Sequence, residues 1–171
     1  EVLQPAIDYY QNHGTATDKL RTHYYEGRIY QNAGQGDLAM KSFIKAREVE
    51  GPITDTLTLG NLLVAQATYY YSTYKVKEFI ANNQQAARLY EAIGHSYYQF
   101  RSLLNTLDGS ILNNDKPLAD SILTCCRSEI EKHPDYEASL LSYILSYTIT
   151  FGSDEEIRTA IESCLDKKNL S

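Results

Sequence analysis

Turn-forming residues divide this chain into stretches that each read as a helix. Within the stretches, apolar residues recur at helical spacing, and the alternation typical of β-strands is scarce. Leu59, Leu62, Leu63, Ala67 and Tyr70 form one such stripe. Glycine and proline are few and stand mostly where a helix should stop. The sequence therefore predicts an all-α fold.

The turn signals separate about nine helices, most of them in antiparallel pairs joined by short turns. Each pair takes about 40 residues, a length typical of helical repeats. The predicted repeats are 17–50, 55–94, 96–133 and 135–166. Residues 1–14 contain a helix without a partner, which we interpret as the second helix of a preceding repeat. We expect a single repeat domain over residues 1–171.

Several local signals predict where individual helices begin and end. Asp37 is a good N-cap for the helix that follows it, and Gly94 suits the residue just after a helix. Pro134–Asp135 is predicted to end one helix and cap the next. Ser153 and Glu156 have the spacing of a capping box.

Charge and hydropathy exclude two classes of partner. The 171 residues carry 16 Lys plus Arg against 22 Asp plus Glu, a net charge of −6, which disfavours binding to a nucleic-acid backbone. No apolar run reaches the roughly 18 residues that a membrane span needs. We therefore expect a soluble domain that binds no nucleic acid and does not itself insert into a membrane.

Catalytic and metal-binding patterns are missing from the sequence. The four histidines are scattered and belong to no zinc or di-iron motif. Cys125 or Cys126 with His133 gives too few metal ligands, and Cys125, Cys126 and Cys164 are interpreted as small helix residues that pack like other apolar side chains. We expect no enzyme, no metal and no cofactor. An enzyme that uses a helical groove stays a minor alternative, which turnover in a broad hydrolase panel would revive.

The first complete helix pair resembles the tetratricopeptide repeat. This family places small residues where two helices approach closely and large residues between them. The resemblance implies a right-handed α-solenoid of stacked helix pairs. The residues that carry it are Gly27, Tyr30, Gly34, Ala39, Phe43 and Ala46.

The same resemblance implies a concave groove that binds a protein segment or peptide. Two arginines flanked by polar and aromatic side chains could hold a carboxylate or an acidic peptide. The groove positions are Arg21, Tyr24, Arg28, Gln31 and Asn32 in the first repeat, and Asn61, Val64, Thr68, Tyr71 and Ser72 in the second.

Two further hypotheses remain open. The chain is also similar to bacterial proteins that carry such repeats on one side of a membrane span, which implies a sensory domain of a membrane-attached regulator in the cell envelope. Separately, a homodimer is expected if the C-terminal pair leaves Ile144, Ile149 or Phe151 uncovered. The sequence identifies neither the partner nor the compartment.

Overall fold

A computed structural model describes residues 4–168 of the chain, with side chains as far as residue 162. No strand occurs within these residues, and a short 3-10 turn, Pro134–Tyr136, precedes the eighth helix. The all-α prediction is therefore confirmed. The helices of the described part are α1 (Gln4–His13), α2 (Ala16–Asn32), α3 (Gly36–Arg47), α4 (Thr56–Ser72), α5 (Val76–Ala92), α6 (Ser96–Leu112), α7 (Lys116–Lys132), α8 (Glu137–Phe151) and α9 (Asp154–Lys168).

The chain divides into two compact units, and the boundary between Ser102 and Leu103 falls within α6. In the first unit, α1 packs on α2, α2 on α3, α4 on both α2 and α3, and α5 on α4. In the second unit, α7 contacts α8, and α8 contacts α9. Apart from the contact of α2 with α4, the helices in these contacts are neighbours in sequence order. A single domain spanning residues 1–171 stays a prediction.

Three of the helical pairs recur at the same spacing along the sequence. Their first helices begin at residues 16, 56 and 96, a spacing of 40. The turns after these helices each contain a left-handed residue, which is Gly34 (φ 72°), Tyr74 (φ 58°) or Asn114 (φ 53°). In each turn, the next amide donates to the carbonyl five residues earlier, at 2.8 or 2.9 Å. This is the Schellman arrangement, which satisfies the last carbonyls of a helix.

Two predicted helix caps are wrong. Helix α3 begins at Gly36, and its N-cap, Gln35, makes no side-chain cap bond. Because the Schellman turn leads directly into the next helix, Asp37 falls inside the first turn, where its carboxylate accepts a hydrogen bond from the Tyr69 hydroxyl at 2.8 Å. Asp135 lies in the 3-10 turn, so Tyr136 takes the N-cap position of α8.

Two other helix-end predictions are confirmed. Gly94 follows α5 with a left-handed φ of 69°. At the start of α9, the Ser153 amide donates to Glu156 Oε2 at 2.7 Å, and the Glu156 amide donates to Ser153 Oγ at 3.4 Å. Both bonds of a capping box are therefore present.

The core of the first unit depends on one very close approach between helices. A Cβ atom added to Gly27 of α2 would lie 2.3 Å from Cε1 of Phe43 on α3, so only glycine fits there. Phe43 is fully buried in a cluster shared by α2, α3 and α4. The sequence motif predicted close helix contact at Gly27 and placed Phe43 in the adjoining gap, but it did not predict that the Phe43 ring itself lies against Gly27. The cluster consists of Leu20, Tyr24, Ala39, Phe43, Ala46, Leu62 and Ala65.

Gly60 and Tyr90 make a second close approach, between α4 and α5, which the motif did not predict. A Cβ atom on Gly60 would lie 2.7 Å from Tyr90 Cε1. The buried Tyr90 ring therefore occupies the space that a larger residue at position 60 would need.

A polar contact adds to the packing of α3 against α4 and α5. Arg47 Nη1 donates to Gln66 Oε1 at 3.3 Å and to Asn82 Oδ1 at 3.4 Å. Because Gln66 and Asn82 are buried, their amide oxygens need such partners.

In the second unit, a polar cluster joins α7 to α8. Lys116 Nζ donates to the carboxylate of Asp120 and, at 2.9 Å, to the hydroxyl of Tyr147. Tyr147 also donates to Asp120, so each of the three side chains hydrogen-bonds to the other two.

Candidate binding surface on α2 and α4

Two side-chain contacts hold α2 beside α4. Near the start of α2, Arg21 Nε donates to Asp55 Oδ2 at 2.5 Å. Near its end, Gln31 Nε2 donates to the carbonyl oxygen of Ala65 at 3.3 Å. The first helices of two consecutive pairs are therefore linked at two separate points along α2.

Asp55 serves two purposes in this link. It is the N-cap of α4, where its carboxylate accepts from the Thr58 amide at 2.9 Å and from the Thr58 hydroxyl at 2.7 Å. Burial by itself raises the pKa of Asp55, but the hydrogen bonds from Thr58 and the ion pair with Arg21 outweigh it. The pKa of Asp55 therefore lies below its ordinary value of 3.8.

Asp55→Ala is expected to lower the free energy of unfolding at pH 7 by about 1–2 kcal/mol, because α4 loses its cap and Arg21 its partner. Since folding lowers the pKa of Asp55, its stabilisation is complete above the unfolded-state pKa and is lost as the pH falls through the folded-state pKa. The cost of Asp55→Ala should therefore shrink towards acidic pH. Urea unfolding at pH 7 and at about pH 3 measures this difference.

Two variants serve as controls for Asp55. Asp55→Asn keeps an N-cap side chain, so most of its cost should come from the lost ion pair. Asp135→Ala removes an exposed carboxylate that caps no helix, and we expect it to be neutral. Equal effects of Asp55→Ala and Asp135→Ala would contradict the assignment.

Tyr24 holds Arg28 in place. Tyr24 is 5% exposed, and its ring centroid lies 6.3 Å from that of Phe43. Arg28 Nη1 donates to the Tyr24 hydroxyl at 3.2 Å, and its guanidinium carbon lies 6.0 Å from the Tyr24 ring centroid. Arg28 itself is exposed, and within residues 4–162 no carboxylate lies at ion-pair distance from it. The rest of the guanidinium is therefore open to a ligand.

Six of the predicted groove residues are exposed: Arg21, Arg28, Asn32, Thr68, Tyr71 and Ser72. Arg21 is engaged with Asp55 and Ser72 lies beside the turn, so we define the α2–α4 surface by the other four, Arg28 and Asn32 on α2 and Thr68 and Tyr71 on α4. The Tyr71 ring packs against Phe79, with centroids 5.1 Å apart. The Thr68 hydroxyl donates a hydrogen bond to the carbonyl oxygen of Val64, one turn earlier on the same helix, at 3.1 Å.

The other predicted groove residues mainly support the surface. Arg21 and Gln31 make the links to α4, and Asn61 Oδ1 accepts from the Tyr90 hydroxyl at 2.8 Å. Tyr24 is buried and Val64 half-buried, while Ser72 is exposed beside the turn. The sequence did not reveal the ion pair between Asp55 and Arg21. The two residues are 34 positions apart, and no local pattern links them.

No group of three histidine, cysteine or acidic side chains within the described residues is close enough to hold a metal ion. Burial raises the pKa of Cys126 to about 12, so its thiol is protonated at neutral pH. Cys126 is buried as predicted, whereas Cys125 is exposed. The side chain of Cys164 lies outside the described residues.

Apolar side chains are exposed on α8 and α9. Ile149 is 52% exposed, and Leu141 and Ile161 are also exposed, while Ile144 and Phe151 are half-buried. The condition set for self-association is therefore met at Ile149, and a homodimer stays a prediction.

The α2–α4 surface offers a guanidinium, an amide, a hydroxyl and a tyrosine ring, groups that can hydrogen-bond to a ligand or pack against it. Within the described residues, no helix is both long and apolar enough to cross a membrane. No protein-family model, no curated protein and no solved structure matches the chain.

Proposed function

We propose that this chain is a non-enzymatic helical-repeat scaffold that binds a protein segment or peptide. In this proposal the pairs stack as a right-handed α-solenoid like that of the tetratricopeptide repeat, and the α2–α4 surface lies in its groove. The observation that carries the proposal is Arg28, an exposed cation that Tyr24 orients and that has no carboxylate partner in the described part of the chain.

Preorganisation supplies the physical mechanism. The Arg21–Asp55 and Gln31–Ala65 contacts support α2 and α4 before a ligand arrives. Tyr24 limits the conformations of Arg28, so that less side-chain entropy is lost on binding. An arginine can then bind a ligand carboxylate through two parallel hydrogen bonds. Tyr71 and Thr68 offer a ring and a hydroxyl to the rest of the segment.

Arg28→Ala is expected to weaken binding of acidic peptides by about 10–100-fold, the range expected for losing a charge-assisted hydrogen bond. The measurement is selection from a library of random peptides of about a dozen residues, followed by fluorescence anisotropy on the selected peptides. Wild-type protein should enrich peptides that contain Asp or Glu. Each selected peptide should lose affinity when its acidic residues become Asn or Gln.

Arg88→Ala is the matched control, because Arg88 is an exposed arginine on α5 and lies outside the α2–α4 surface. This variant should bind the selected peptides as tightly as the wild type. Arg28→Lys should recover only part of the affinity, since lysine cannot make the paired hydrogen bonds. The proposal is wrong if Arg28→Ala and Arg88→Ala bind the selected peptides equally well.

A further inference from the structure

A surface pocket of about 320 Å³ lies between α2 and α3, within the first unit. Its walls include Glu26 and Tyr30 of α2, and Leu38, Lys41, Ile44 and Lys45 of α3. Arg28 is two residues from both Glu26 and Tyr30, so it points to the opposite side of α2. This α2–α3 pocket is therefore separate from the α2–α4 surface.

Part of the pocket wall is apolar. Leu38 is 41% exposed and Ile44 is 42% exposed, and the half-buried Tyr30 packs on the core beneath. Single exposed apolar residues are common on protein surfaces. Here the three side chains line one concavity, which can therefore remove an apolar group of a ligand from water.

Another part of the wall is positively charged. Lys41 and Lys45 are exposed and one helical turn apart, and no carboxylate within residues 4–162 lies at ion-pair distance from either. The acidic member of the wall, Glu26, instead faces His23, with 3.4 Å between Oε2 and Nδ1. Two unpaired lysines beside an apolar concavity stand out in a chain of net charge −6.

We propose that the α2–α3 pocket docks a short acidic segment of a partner protein. An apolar side chain of the segment enters the space between Tyr30, Leu38 and Ile44, and carboxylates beside it pair with Lys41 and Lys45. Side chains one turn apart on a helix are about 5–6 Å from each other, so two acids that flank one apolar residue can reach both lysines. This site is additional to the α2–α4 surface and does not depend on it.

The probe is a fluorescein-labelled peptide, Asp-Glu-Leu-Phe-Glu-Asp, with blocked ends, measured by fluorescence anisotropy. One comparison peptide carries Asn and Gln in place of the acids, and a second carries Ser in place of Leu and Phe. We expect both comparison peptides to bind at least about tenfold more weakly. The first lacks the carboxylates that would pair with the lysines, and the second lacks the apolar side chains that would enter the pocket. Amide NMR shifts of Leu38 and Ile44 on addition of the probe would locate it in the pocket.

The decisive variant is the charge reversal Lys41→Glu plus Lys45→Glu. Its affinity for the acidic peptide should fall by about tenfold or more. Its affinity for a version of the peptide with Lys in place of the acids should rise. The matched control, Lys77→Glu plus Arg88→Glu, reverses two exposed cations on α5 and should change neither affinity. Circular dichroism confirms that both variants keep their helices.

Arg28→Ala separates this proposal from the one for the α2–α4 surface, because it should leave binding of the probe unchanged. The docking proposal is overturned if the charge reversal leaves affinity intact, if the Ser peptide binds equally well, or if the probe does not bind at about 1 mM protein. It is also overturned if light scattering shows a dimer that the charge reversal dissociates, since a second copy would then occupy the pocket.

Discussion

Gly27→Ala is expected to lower the free energy of unfolding by about 2–4 kcal/mol. The new Cβ atom would lie 2.3 Å from Cε1 and 2.4 Å from Cδ1 of Phe43, whose ring is fully buried, so the ring or the helices must shift. Helix propensity alone favours alanine by about 1 kcal/mol. The steric overlap is the larger effect and therefore decides the sign. Urea unfolding followed by circular dichroism measures the change.

Gly36→Ala is the matched control for this prediction. Its Cβ atom would lie 3.4 Å from the Tyr69 ring, which is ordinary contact, and Gly36 does not have a left-handed φ. We expect this change to be neutral or stabilising by up to about 1 kcal/mol. Phe43→Leu should partly rescue Gly27→Ala, with a coupling energy above about 1 kcal/mol. Similar costs for the two glycine variants would show that α2 and α3 do not approach as closely as described.

Phe43→Ala is expected to cost about 3–5 kcal/mol. The ring packs against residues of its own pair and, through Leu62 and Ala65, against α4 of the next pair. Its removal leaves a cavity opposite Gly27, which has no side chain to fill it. The loss should therefore be at the high end for a large-to-small change in a core.

Ile44→Ala provides the comparison for Phe43→Ala, because Ile44 is the next residue on the same helix and is 42% exposed. Its cost should stay below about 1 kcal/mol. Denaturant unfolding of both variants at one pH gives the two values. A loss below about 1.5 kcal/mol for Phe43→Ala would contradict the shared core of α2, α3 and α4.

Much of the fold could be predicted because helix ends and close contacts leave local signals. The turn signals placed the starts of the four predicted repeats within two residues of the starts of α2, α4, α6 and α8. The spacing of small and large residues predicted the close helix approach at Gly27, although not its contact with the Phe43 ring. The caps at Asp37 and Asp135 were predicted wrongly because an N-cap depends on the backbone of the preceding turn, not only on residue type.

The candidate site was less predictable, because its organisation depends on contacts that are distant in sequence. Arg21 and Asp55 are 34 residues apart, and so are Gln31 and Ala65. The resemblance to the tetratricopeptide repeat implied groove positions for Tyr24 and Arg28, but only the structure shows that Tyr24 is buried and that Arg28 donates a hydrogen bond to its hydroxyl.

The most direct test of the central proposal is an NMR titration that follows the side-chain Nε–Hε signal of Arg28 while an acidic peptide selected by the protein is added. The account predicts that this signal, and the amides of Thr68 and Tyr71, shift in a saturable way, whereas the corresponding peptide with neutral amides in place of its acids leaves them unchanged. A bound peptide that leaves the Arg28 signal where it was, or that shifts residues of α5 instead, would contradict it.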